Sequence, residues 1–160
     1  MNVVCNTSPL LLLAKIQQLV LVAQLYQTIR IPLAVLAEVH GKADEATAQI
    51  QAITSASPFV VEGATPTTLA RLPAALGAGE REALALAVDT AADLVILDDQ
   101  EGRRLARTLG LAVTGTAGVL VEAYTRGLMP SLRAELDRLR HAGWWITEAF
   151  YHRLCQLEER

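Results

Sequence analysis

Aromatic side chains are scarce, 4% of 160 residues, while apolar types as a whole reach 52%. The interior must therefore be built from Ala, Leu, Val and Ile, a composition suited to helices and strands packed in layers. Only two cysteines are present, Cys5 and Cys155, at opposite ends of the chain and without CxxC spacing. Neither a disulfide framework nor a zinc site is indicated, and two buried thiols are expected. No apolar run approaches the roughly 18 residues of a membrane-spanning helix, because Lys15, Gln17 and Gln18 interrupt the N-terminal stretch. Asn2, Asn6, Thr7 and Ser8 stand where a secretory signal would carry basic residues, so a cytoplasmic location is the expectation. An excess of positive charge is also missing. The net charge is −3, and any binding of nucleic acid must rest on a local cluster of Lys and Arg. The length fits one domain of about 100 to 200 residues better than two.

What is present is a regular alternation of short apolar runs with helical stretches, punctuated by Pro and Gly. The order reads β, α, α, β, α, α, β, α, α, β, α, β, α, then two more helices. Strands are expected at about Val3 to Cys5, Thr28 to Ile31, Phe59 to Val61, Leu94 to Leu97 and Ala112 to Thr114. Thr7 or Ser8 ahead of Pro9, and Pro32 directly after a strand, mark helix starts; Gly41, Gly110 and Gly127 mark stops. Strands separated by helices imply parallel pairing with right-handed crossovers, hence a three-layer α/β/α sandwich with a mainly parallel sheet. Ligands bind beyond the carboxyl ends of such strands, which directs attention to Asn6, Thr7, Ser8, Asp98, Asp99, Thr114 and Thr116.

Asp98 and Asp99 close an apolar strand. Neighbouring side chains on a strand point to opposite faces, so one carboxylate is expected to face the crevice and the other to cap the helix from about Gln100 to Leu109. Glu80 and Glu82 open an alanine-rich helix whose start lies at the same end of the sheet. Two residues apart on a helix they are turned about 200° from each other, and Glu80 is the favoured inward residue. Glu38 stands alone among Ala34, Val35, Leu36, Ala37 and Val39. Taken singly, each acid has a plain reading as a cap, a first-turn charge or a solvent-edge residue. Gathered together, carboxylates repel one another and raise their own proton affinity, which a cation relieves. Oxygen ligands without His or Cys suit Mg²⁺ or Mn²⁺.

In order along the chain stand Asn6-Thr7-Ser8-Pro9-Leu10, Pro32 with Glu38, Leu76-Gly77-Ala78-Gly79-Glu80, Asp98-Asp99 and Val113-Thr114-Gly115-Thr116. This succession resembles the PIN-domain proteins, and among them the DUF3368 group, over about Val3 to Gly127. The resemblance implies a metal-dependent ribonuclease, many such proteins being toxins of bacterial toxin–antitoxin pairs with a cognate antitoxin. Carried over by position, the acidic ligands fall on Asn6, Glu38, Glu80 and Asp98 or Asp99, and the small hydroxyl on Ser8. Asn6 departs from the pattern, since catalytically established members generally have Asp there.

The leading expectation is an RNA phosphodiesterase in which Glu38, Glu80 and Asp98 or Asp99 hold Mg²⁺ or Mn²⁺, with Asn6, Ser8 and Thr116 in support. Arg103, Arg104 and Arg107 are the candidates for phosphate. The alternative, motivated by Asn6, is a catalytically impaired module that binds RNA or a protein. A third is phosphoryl transfer through Asp98 as nucleophile. Beyond residue 127 two amphipathic helices carry Leu132, Leu136 and Leu139, followed by Trp144 and Trp145, for which packing is the expected role. A chain this apolar is expected to form a homodimer.

Overall fold

Each of the five apolar runs becomes a strand in the computed structural model, which describes residues 1–42 and 44–160. The strands are β1 (Asn2–Cys5), β2 (Thr28–Pro32), β3 (Phe59–Glu62), β4 (Leu94–Ile96) and β5 (Val113–Thr114). They form one sheet in the order β3-β2-β1-β4-β5, with every pairing parallel. Val4 in the central strand lies opposite Arg30 on one side and Val95 on the other.

The connecting helices follow the expected succession: α1 (Thr7–Lys15), α2 (Val20–Leu25), α3 (Leu33–His40), α4 (Glu45–Thr54), α5 (Pro66–Ala70), α6 (Ala78–Asp89), α7 (Gln100–Thr108) and α8 (Thr116–Thr125), then α9 (Leu132–His141) and α10 (Glu148–Gln156). Pro32 closes β2 and caps α3 from outside, one position earlier than a first-turn proline. Gly110 and Gly127 take φ of +77° and +75°, the left-handed conformation that lets the chain leave α7 and α8 without a Cβ clash.

Alternation along the strands sorts the core into two layers. Val3, Cys5 and Ile96 enter a larger apolar cluster with α1, α2, α8, α9 and α10. Val4, Val95 and Leu97 enter a smaller one with α6 and α7. With helices on both faces, the strands need no solvent side, and the result is a three-layer α/β/α sandwich. Both cysteines are free and buried. The C-terminal helices are anchored by Leu132, Leu136 and Leu139, all at 0% exposure. The two tryptophans part company: Trp144 packs against the larger cluster, whereas Trp145 is 82% exposed. Among the described residues no helix is long and apolar enough to cross a membrane.

Candidate active site

The first strand delivers Asn6 to the carboxyl edge of the sheet, where its N–H donates to the Ile96 carbonyl of β4 at 3.0 Å. Asn6 occupies the cap position of α1, yet its side chain makes no capping bond. Its Oδ1 is buried without a hydrogen-bond partner. Buried polar atoms are nearly always satisfied, so an orphaned amide oxygen at a strand end is an acceptor awaiting a donor or a cation.

The adjacent Thr7 hydroxyl donates to Glu38 Oε2 at 2.6 Å, and the Gly79 N–H donates to Glu38 Oε1 at 2.9 Å. Glu38 is thereby held between the first turns of α1 and α6, whose positive dipole ends favour its charge. The approach depends on glycine: a Cβ at position 79 would lie 2.8 and 2.9 Å from the two carboxylate oxygens.

Glu80 follows directly. Burial pushes its carboxyl above the ordinary glutamate range, with Asp99 and then Glu38 and Glu101 adding in the same direction, against a lowering hydrogen bond from Gly77. These influences report that Glu80, Asp99 and Glu38 lie within electrostatic reach of one another. Glu82 turns elsewhere and accepts from the Ala34 N–H at 2.8 Å, as the helical rotation requires. Because the folded protein holds the Glu80 proton more tightly than the unfolded chain does, it binds more protons between the ordinary and the raised value. Stability must fall as pH rises through that window. Glu80→Gln is therefore expected to raise the melting temperature of chelator-treated protein at neutral pH by about 1 to 3 °C. Thermal scans from acid to neutral pH should show the gain vanish below the ordinary glutamate range. A variant that melts lower at neutral pH would contradict the placement of Glu80 among like charges.

Asp98 and Asp99 diverge. Asp98 accepts from the Thr116 N–H at 2.8 Å through Oδ1 and from the Thr116 hydroxyl at 2.6 Å through Oδ2. Asp99 caps α7, accepting from the Gly102 N–H at 2.7 Å. Of the pair, Asp99 is the one whose charge acts on Glu80, while Asp98 sits beside Arg103. A Cβ on Gly115 would stand 2.7 Å from Asp98 Oδ1 and 3.0 Å from Arg103 Nη1. Arg103 donates from Nη1 to the Leu97 carbonyl at 3.0 Å. Burial, and then the neighbouring Arg107, lowers its proton affinity. Arg104 and Arg107 are exposed. Ser8, exposed on the first turn of α1, lines a groove together with Asp98 and Arg103.

Oxygen donors without nitrogen or sulfur fit a hard divalent cation, and both the orphaned Asn6 Oδ1 and the raised Glu80 carboxyl fit a site that a cation would satisfy. The donors are not closed around one point: among the described residues no three His, Cys, Asp or Glu side chains form a ready ligand group. Glu38 and Asp98 each accept one protein donor on each oxygen, which leaves every oxygen a second lone pair for a cation.

Two contributors to the site are not acids. Thr7, marked in the sequence by its place after β1, positions Glu38 from 31 residues away, and the Gly79 N–H, which the sequence reading missed, does so from 41. The sequence signal for the second is the glycine itself, two residues after Gly77 and just ahead of Glu80, where an alanine would favour the helix more.

A parallel sheet ordered β3-β2-β1-β4-β5 with acidic residues at its carboxyl edge defines a PIN-like α/β protein. The family model DUF3368, described as a PIN domain, matches residues 2–160, and the chain belongs to that family. The match includes α9 and α10, beyond the stretch that carries the motifs. Members are generally nucleases, often toxins of toxin–antitoxin systems, and typically depend on a divalent metal. Among curated proteins nothing matches the chain.

Proposed function

We propose that the protein is a metal-dependent ribonuclease that hydrolyses phosphodiester bonds in the cytoplasm. The observation that carries the proposal is that Glu38, Glu80 and Asp99 lie within electrostatic reach of one another at the edge of the sheet where Asn6 buries an unpartnered oxygen. Glu38, Glu80 and Asp98 or Asp99 would hold Mg²⁺ or Mn²⁺, which supplies a nucleophilic water and neutralises charge developing at phosphorus. A carboxylate of the cluster left free by the metal would accept the proton that leaves the water. Asn6 Oδ1 would orient that water, and Thr7 and Thr116 keep Glu38 and Asp98 in place. Arg103, tethered to the strand end, offers its remaining N–H groups to the phosphate, with Arg107 behind it.

Incubation of single-stranded RNA with the protein and Mn²⁺ should give cleavage that chelator abolishes. Glu38→Gln, Glu80→Gln and the double change Asp98→Ala with Asp99→Ala should each slow it by about 100-fold or more. Cleavage that survives all three would remove the proposal.

The family's habit of toxin–antitoxin pairing supports a toxin role with a cognate antitoxin protein as partner, and the apolar composition supports a homodimer. Asn6, together with carboxylates already engaged by protein donors, favours a second reading, a catalytically impaired module that binds RNA or protein. Calorimetry without heat at millimolar Mg²⁺ or Mn²⁺, and a stable partner recovered on the intact protein, would select that reading.

A further inference from the structure

A groove of about 1050 Å³ runs from Asp98 and Arg103 across α1 and α8 to the segment that carries Trp144 and Trp145. That is the upper end of the roughly 300 to 1,000 Å³ usual for ligand sites, more than one small molecule needs. Its floor is aliphatic, with Leu11, Val113 and Val121 among the lining residues. Its two termini differ in chemistry: one reaches the acidic site, the other ends in an indole that is 82% exposed and attached to a neighbour, Trp144, packed against the core. Thus the exposed ring stands on a fixed base.

We infer that this groove seats an unpaired stretch of RNA flanking the bond to be cut, with a base stacked on Trp145 and the backbone held by Lys15 and Arg103. The inference rests on the nuclease reading for its direction along the groove, and it names a subsite outside the acidic cluster. Among the described residues, the charged ones that line the groove are Lys15, Arg103, Asp98 and Glu122. Glu122 is already paired with Arg126 at 2.7 Å, whereas Asp98, bonded to the neutral N–H and hydroxyl of Thr116, keeps its negative charge beside Arg103. That charge lies at the end of the groove where the nuclease reading puts the metal, which leaves Lys15 and Arg103 to meet a polyanion. An aromatic face is indifferent to base identity, and duplex RNA hides the faces that would stack, so the occupant is single-stranded. A phosphate chain alone would have no use for the aliphatic floor; a chain bearing bases does.

The test uses fluorescence anisotropy of a labelled ten-nucleotide single-stranded RNA with the intact Glu80→Gln protein, which allows binding to be read without cutting. Trp145→Ala should weaken binding by about tenfold or more, the usual effect of removing a stacking partner, while Trp145→Phe should stay within about threefold. Lys15→Ala should lower the slope of log affinity against log salt by about one. A duplex of the same sequence should bind markedly less well. Equal affinity for Trp145→Ala, no preference for the single strand, or no RNA binding would overturn the inference. So would a Trp145 emission that shifts with protein concentration alone, which places a second copy in the groove. Cleavage by the unaltered protein is measured separately. RNA binding through Trp145 without cleavage would sink only the nuclease reading, and cleavage indifferent to Trp145 only this one.

Discussion

Replacing Asn6 by aspartate is expected to tighten Mn²⁺ binding by at least about tenfold and to make the metal-free protein melt about 3 to 10 °C lower. The residue is 4% exposed, its Oδ1 has no partner, and its neighbour Thr7 is bonded to Glu38. A carboxylate there would be buried beside other acids with nothing to offset its charge, the circumstance in which burial is most expensive. A cation reverses the sign of the effect. One added unit charge about 4 Å from a divalent cation contributes on the order of 8 kcal/mol at an effective dielectric of about 20, enough to leave a net gain after desolvation. Titration calorimetry reads the affinity, and melting with chelator and with saturating Mn²⁺ reads the two stabilities, which should converge or cross as metal is added. If Asn6→Asp leaves Mn²⁺ affinity unchanged, its side chain does not face the cation. If cleavage of RNA rises along with affinity, the asparagine is what holds the natural activity down.

Gly79→Ala should lower RNA cleavage by about 100-fold with almost no change in melting temperature. The added methyl would lie 2.8 to 2.9 Å from the Glu38 carboxylate oxygens, the far end of a flexible side chain that can swing aside without disturbing the backbone. Glu38 then loses its place against the Gly79 N–H, and a displacement of about 1 Å in a catalytic group is enough for such a loss. Stability is nearly balanced, because alanine favours α6 by about 1 kcal/mol over glycine, close to the value of the hydrogen bond given up. Cleavage rates and thermal scans on the same preparation separate the two effects. A variant that stays fully active would show that Glu38 does not take part, and one that unfolds would show that the crowding reaches the backbone.

The order of the fifteen elements among the described residues could be read from the chain, since the signals are local. Val3, Val4 and Cys5 already read as a strand, Pro32 as a boundary, and Gly110 and Gly127 as stops. The cap formed by Asp99 belongs to the same class, because its donor is Gly102, three residues on. Strand ends were likewise within reach. A β-α-β succession forces the chain to deposit the residue after each strand on one edge, and Asn6 and Asp98 arrive there for that reason.

Nothing local announces that Thr7 and Gly79 share Glu38, or that Thr116 takes both oxygens of Asp98; these partners are 31, 41 and 18 residues apart. Nor do two adjacent tryptophans disclose that one packs and the other stands in solvent, a difference set by how α9 and α10 lie on the larger cluster. Backbone preference and apolar periodicity act over a few residues, so composition and pattern were enough for the elements, their order and the edge where chemistry collects. Which side chain donates to which carboxylate, how far the acids stand from closing on a cation, and where the groove runs depend on contacts between distant segments. Only the packing of the layers could decide them.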